Sequence, residues 1–298
     1  MIYIRFMCNL GNQMFQYAAA RLAAERLQCP LVISQDAFVW RDVLRGRQTM
    51  PLFKAFPTLT RGVGARWIDF SERYLPRLTA RLQRALLPTE FRPWAPSAAP
   101  WEGLEGYDPG YLQLENFTRL IGYFQSPLYL AGHEDTVRSW YRMSSAESAD
   151  TDRRWRQVGI DPAEAVAVHV RLGDYRQQTP FGVSEEGGWI LPRSYYQQAL
   201  QVLGASRRIV LFSDEPDLAE AYLPRGADYV SRTGDPRADF CMMSSCGRMI
   251  IANSTFSWWA AWLNPNPSAL IVAPEFFLGR SISTWYPKDI RVEGWQYI

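Results

Sequence analysis

Four short polar clusters break an otherwise apolar chain at points where chemistry could be done. His169 and Arg171 close the run Ala-Val-Ala-Val at 165–168, and Asp174 follows. Ser213, Asp214 and Glu215 follow the apolar residues 209–212. Asn253, Ser254 and Thr255 follow 249–252, and Gly11, Asn12 and Gln13 follow an alternating stretch at 2–6. An arginine at the edge of an apolar run needs an anionic partner. A diphosphate supplies one through paired hydrogen bonds, and so does a carboxylate such as Asp174. The residues alone leave both open. Ser254 and Thr255 fall where a helix begins, and a helix N-terminus favours an anion. Polar residues also cap helices without any ligand, which accounts for 213–214 and 253–255 well and for His169 and Arg171 poorly.

The elements that must position these clusters follow from periodicity. The spacing predicts a strand over 2–6, a turn at 9–12, a helix over 13–28 and a strand at 31–33. In the second half it predicts strands within 163–170 and at 208–212, 249–252 and 269–272, with helices at 195–203 and from Thr255. Apolar strands alternating with helices form a parallel sheet covered on both faces. Ligands of such sheets bind beyond the carboxyl ends of the strands, where all four clusters fall. The paired Trp258 and Trp259 read as core. Residues 40–120 are irregular, with helical stretches near 62–86 and a proline-marked connection at 88–100. Residues 134–157 read as a charged helical segment bridging two halves. Residues 176–188, with Gln177, Gln178, Gly182, Gly187 and Gly188, read as a mobile loop over an acceptor.

Composition narrows the class. The 298 residues carry a net charge of +2 from 32 basic and 30 acidic side chains, which excludes binding of nucleic acid by phosphate neutralisation. Four cysteines without a Cys-x-x-Cys pair and two histidines, His133 and His169, argue against a zinc site. The thiols suit a reducing compartment. No apolar run reaches the roughly 18–20 residues of a membrane span, and the chain opens on a strand rather than a leader. The expectation is a soluble, cytoplasmic bacterial protein without a transmembrane segment, a peripheral membrane contact being left open.

In order along the chain, the strings Gly11-Asn12-Gln13-Met14-Phe15-Gln16-Tyr17-Ala18, His169-Val170-Arg171-Leu172-Gly173-Asp174-Tyr175, Phe212-Ser213-Asp214-Glu215 and Ile250-Ile251-Ala252-Asn253-Ser254-Thr255-Phe256-Ser257-Trp258-Trp259 resemble the α-1,2-fucosyltransferase family, glycosyltransferase family 11. The wider superfamily holds α-1,6- and protein O-fucosyltransferases. Gly122-Tyr123-Phe124-Gln125 and Tyr195-Tyr196 also look like family positions.

The resemblance implies an α/β fold of the GT-B type, two Rossmann-like domains facing across a cleft. Residues 1–157 would form the acceptor side and 158–298 the GDP-fucose domain, the tail packing back on the first. It implies inverting, metal-independent transfer of fucose from GDP-fucose to the 2-hydroxyl of a galactose-terminated glycan, with no cofactor. Arg171 would hold the diphosphate, and His169 would order that loop. Ser254, Thr255 and Phe256 would hold phosphate or ribose, and Asp239 would accept from guanine. Gly11 and Asn12 would face the sugar–phosphate junction, and Asp214 would shape the nucleotide pocket. Asp174 is the first candidate for general base, against a role in merely holding Arg171. Leu172 departs from the family, which commonly shows a second arginine there. A cationic contact is then lost, or supplied by Arg5 or Arg248.

Overall fold

A computed structural model describes residues 1–35, 52–59, 63–64, 92–95, 106–177, 189–204, 208–278 and 287–298. The predicted loop beyond residue 177, and the predicted helical region apart from 63–64, lie outside these residues. The chain forms two compact units, Met1–Trp140 with Pro287–Ile290, and Tyr141–Tyr286 with Arg291–Ile298.

The first unit opens with β1 (Ile2–Phe6), α1 (Leu10–Arg26) and β2 (Leu31–Gln35), followed by α2 (Leu52–Ala55), β3 (Val63–Gly64), β4 (Arg92–Trp94), β5 (Thr118–Leu120) and α3 (Glu134–Trp140). Residues 63–64 are thus a short strand rather than helix, paired with β2. The sheet is parallel throughout, in the order β3-β2-β1-β5-β4. β1 therefore has β2 on one side and β5 on the other, and the chain changes direction across the sheet between β1 and β5. Helix α1 starts earlier than expected, so Gly11 and Asn12 lie in its first turn and only residues 7–9 make the turn. It is buried on nearly every face, as its run of Ala, Phe, Tyr and Leu requires. Arg21 of α1 stacks on Trp140, 3.9 Å from the ring centroid, and ties α3 to it. Asp289 joins this unit by accepting from the Tyr107 amide at 2.8 Å. The backbone at residue 106 is left-handed, with φ 113°, and a Cβ there would collide with that carboxylate, so the position requires glycine.

The second unit holds α4 (Ser145–Val158), β6 (Val166–Val170), α5 (Arg193–Leu203), β7 (Ile209–Ser213), α6 (Pro216–Ala219), β8 (Tyr229–Val230), α7 (Pro236–Ser244), β9 (Arg248–Ile250), α8 (Thr255–Trp262), β10 (Leu270–Ala273) and β11 (Gln296–Tyr297). Its sheet is also parallel, in the order β11-β10-β9-β6-β7-β8. From β6 the chain adds β7 and β8 on one side and then returns to the other side with β9. The crevice between the carboxyl ends of β6 and β9 is a topological switch point, where ligands of open parallel sheets bind. β6 is buried along its whole length, in a core shared with Tyr195, Tyr196 and Leu200 of α5. Trp258 and Trp259 are core residues, as expected.

The charged segment at 134–157 is two helices. Ser144 caps the second in a reciprocal capping box with Glu147. The units divide between them, ahead of the 157/158 boundary expected from sequence. The reason is that α4 is fastened to α7: Glu147 pairs with Arg237 at 2.6 Å, and the Trp155 indole donates to the Ser245 hydroxyl at 2.8 Å. Among the described residues no helix is long and apolar enough to cross a membrane.

Candidate active site

The switch point of the second unit collects most of the polar residues singled out above. His169 is the fourth residue of β6 and is buried. Burial, helped by the nearby positive charge of Arg171, pushes its imidazole down to about 3. It is therefore neutral at physiological pH, and its Nδ1 has no hydrogen-bond partner among the described residues. Its ring lies 5.7 Å from that of Phe256, which ties the end of β6 to the first turn of α8.

Arg171 leaves the strand and meets two carboxylates. Its Nη2 donates to Asp174 at 2.7 Å, and its Nη1 lies 3.1 Å from Asp214. Burial works against the guanidinium charge; Asp214 and Asp174 outweigh it and raise its pKa. Asp214 also accepts from the Leu172 amide at 3.0 Å, so one carboxylate at the end of β7 fixes both the loop after β6 and its cation. A Cβ on residue 173 would collide with the Asp214 carboxylate, which explains Gly173. Of the two kinds of partner that the sequence left open for Arg171, the structure shows the carboxylate, supplied twice over by Asp174 and Asp214, and they hold the guanidinium in place.

Leu172 is 2 % exposed and belongs to the core beneath β6. Its side chain packs inward, so at this position leucine is a packing residue. Arg248 cannot supply a cationic contact there. It pairs in register with Val166, at the opposite end of β6 from Arg171.

Ser254 is the N-cap of α8, in extended conformation, and its side chain makes no capping bond. Other N-caps in the chain do cap, including Ser144, Asp108 and Asp235. The hydroxyl is thus not spent on the helix's own amides. The loop carrying it is held from behind. Tyr195 donates to the Ile251 carbonyl at 2.6 Å, and Tyr175 donates to that of Asn253 at 2.9 Å. The Asn253 amide donates to the Trp189 carbonyl at 2.8 Å. Tyr175, Tyr195 and Asn253 stand in the motif strings, but their sequence context alone assigns them no role. The available signal was a tyrosine or asparagine beside each cluster.

Asp239 lies in the first turn of α7, a helix that the periodicity does not predict. Asp235-Pro236, an N-cap followed by proline at the first helical position, was its signal. Asp239 Oδ1 accepts from Ser231 at 2.5 Å and from Thr233 at 2.8 Å. Burial raises its carboxyl pKa, and the two hydroxyls partly offset this. Its Oδ2 accepts from none of the described residues.

Gly11 and Asn12 belong to the first unit, at the switch point between β1 and β5. Asn12 Oδ1 accepts from Gln125 at 2.6 Å. Arg5 is exposed near the end of β1. His133 is exposed, just ahead of α3, and is apart from these clusters in sequence. Among the described residues no group of three His, Cys, Asp or Glu could hold a metal ion.

Two parallel sheets, with their polar residues gathered at strand ends, are an architecture for binding nucleotides. The chain belongs to glycosyltransferase family 11, whose model matches residues 111–298. It is 28% identical over 294 residues to the O-antigen biosynthesis glycosyltransferase WbnK of Escherichia coli, covering 92% of this chain and 94% of that protein. It is 28% identical over 184 residues to galactoside alpha-(1,2)-fucosyltransferase 1 of Bos taurus, covering 55% of this chain and 50% of that protein, about half its length. A crystal structure of POFUT1 in complex with GDP-fucose is 16% identical, with a TM-score of 0.46, covering 91% of this chain and 96% of that one. The family expected from the motif strings is the family found.

Proposed function

We propose that the protein transfers L-fucose from GDP-fucose to the 2-hydroxyl of a terminal galactose in a glycan or oligosaccharide, with inversion, as a GT-B enzyme without a cofactor. The observation that carries this reading is the construction of the second unit's switch point. An arginine, an uncommitted N-cap serine and a buried neutral histidine meet there in a member of this family. Kinship with the bovine galactoside enzyme supports the linkage. Kinship over nearly the whole length with an O-antigen biosynthesis glycosyltransferase supports a bacterial surface glycan as acceptor.

Breaking the bond from fucose C1 to the diphosphate builds negative charge on the leaving oxygens and positive charge on the sugar ring. Arg171 and the first turn of α8 would stabilise the leaving group as preorganised donors. Asp214 and Asp174 hold the guanidinium until the diphosphate takes over one of their places. His169, being neutral, adds no charge to the site and braces the loop against Phe256. Asp239, its Oδ1 oriented by Ser231 and Thr233, would accept from guanine N1–H and the 2-amino group.

Asp174 is the candidate base for the acceptor hydroxyl, because its carboxylate is more exposed than that of Asp214, 43% against 19%. Asp174→Asn is expected to lower kcat about 100-fold or more and to remove the acid limb of the pH–rate profile. An unchanged rate and limb would assign Asp174 to Arg171 alone.

The reading is tested by GDP release from GDP-fucose with and without lactose, followed by NMR of the product. Release that depends on lactose, with fucose on the galactose 2-hydroxyl, is the expected result. A product of another linkage would overturn the linkage assignment. Tight GDP-fucose binding without release, across a panel of galactosides, would instead identify a non-catalytic binding protein.

A further inference from the structure

Within the first unit, the loops after β1 and β5 are stitched together at the switch point. Gln16 of α1 donates to the Gly122 carbonyl at 3.1 Å and accepts from the Met7 amide at 3.0 Å. Gln13 donates to the Cys8 carbonyl at 2.7 Å. Both loops contain a non-glycine residue in the left-handed region, Cys8 at φ 60° and Phe124 at φ 57°. Bulky side chains rarely adopt that conformation, and it persists where the surroundings enforce it. Phe124 is 1% exposed, stacked on Trp94 and edge-on to Tyr129. That anchoring fixes the backbone on which the next residue, Gln125, is carried.

Gln125 is 5% exposed, and its Oε1 has no hydrogen-bond partner among the described residues. Its Nε2 makes a short bond of 2.6 Å to Asn12 Oδ1. A buried glutamine that leaves its acceptor unmatched while its donor makes a short bond is held for the sake of the donor. The consequence falls on Asn12. With Oδ1 engaged by Gln125, the amide nitrogen becomes the end directed away from it. An asparagine offers a ligand either an acceptor or a pair of donors, and its partner decides which.

We propose that Gln125 is a positioning residue: by donating to Asn12 Oδ1 it presents the Asn12 amide N–H groups to the oxygens of the sugar–phosphate junction. The inference rests on the reading of Asn12 as a donor-substrate contact and adds what makes that contact a hydrogen-bond donor.

The test measures kcat/KM for GDP-fucose and the thermal midpoint in N12A, Q125A, N12A/Q125A, Q125E and N12A/Q125E. Q125A is expected to lower kcat/KM about tenfold, and N12A/Q125A to be no worse than N12A, as for residues acting as one unit. Q125E keeps the side chain's size, so it decides the matter if Q125A folds poorly. Ionised, the introduced carboxylate can only accept, and it turns the Asn12 amide around; protonated, it donates again. Relative to wild type, Q125E is expected to be impaired at pH 8 and to recover as the pH falls toward the carboxyl range. N12A/Q125E is expected to show no such recovery. Additive losses in N12A/Q125A, or recovery that persists in N12A/Q125E, would overturn the proposal while leaving Asn12 on the substrate. Wild-type kcat/KM in N12A would remove the underlying reading of Asn12 and the proposal with it.

Discussion

Arg171→Ala is expected to lower turnover by about 100- to 1000-fold at saturating GDP-fucose, the usual loss when one preorganised donor to a developing oxyanion is removed. The loss has two sources here. Alanine removes the cation, and it also strands Asp214 and Asp174, the carboxylates now 3.1 Å and 2.7 Å from its nitrogens. Unpaired, they would repel a diphosphate bound as proposed. Two further variants separate the sources. Arg171→Lys keeps the charge but loses the fork that bonds two oxygens at once, so it falls between wild type and alanine. Asp214→Asn in the alanine background removes one repelling charge while an amide oxygen can still accept from the Leu172 N–H, so part of the activity returns. Turnover within about tenfold of wild type in Arg171→Ala would remove Arg171 from the phosphate site, being far short of the loss such donors show.

Asp239→Ala is expected to weaken GDP binding on the order of 100-fold, since each hydrogen bond to a charged group contributes about 1.5–3 kcal/mol. The base identifies the contact. Inosine diphosphate lacks the 2-amino group, so wild type prefers GDP over it by about one such bond, and Asp239→Ala loses the preference. The pH dependence has a fixed sign. Burial raises the Asp239 pKa above the ordinary aspartate value, with Ser231 and Thr233 offsetting part of the shift. The carboxylate that would accept from guanine is therefore lost on acidification sooner than for an exposed aspartate. GDP affinity measured by calorimetry falls as the pH drops through that raised pKa, and the alanine variant lacks that component. Equal GDP and inosine diphosphate affinities in wild type would contradict the guanine contact.

The buried strands were legible because each is a short unbroken apolar run. β1, β6, β7 and β10 stand within a few residues of their expected positions. The two-residue strands β8 and β11 carry no periodicity of their own; neighbours recruit them. Helix α7 escapes prediction because its nine residues, with most faces buried, show little amphipathic alternation. In the site, residue types announced Arg171 and Asp174, but not that Asp214, from a different strand, would be the second partner. Leu172 shows the limit most plainly. Against the family's paired arginines it reads as a departure in charge, and only the fold shows that its side chain belongs to the core beneath β6. Tyr195 and Asn253 act through backbone carbonyls, and no spacing rule reports where a carbonyl will point.

The placement of Pro287–Ile290 with residues 1–140 bears on the order of events during synthesis. Domains generally fold as they leave the ribosome, N-terminal first. Here the first unit cannot close around the Tyr107 amide until Asp289 has been made, after nearly the whole second unit has emerged. Until then water takes the place of that carboxylate on the amide. Cutting the chain after residue 140 would therefore not liberate a finished module, because its last stitch is encoded at the far end of the message.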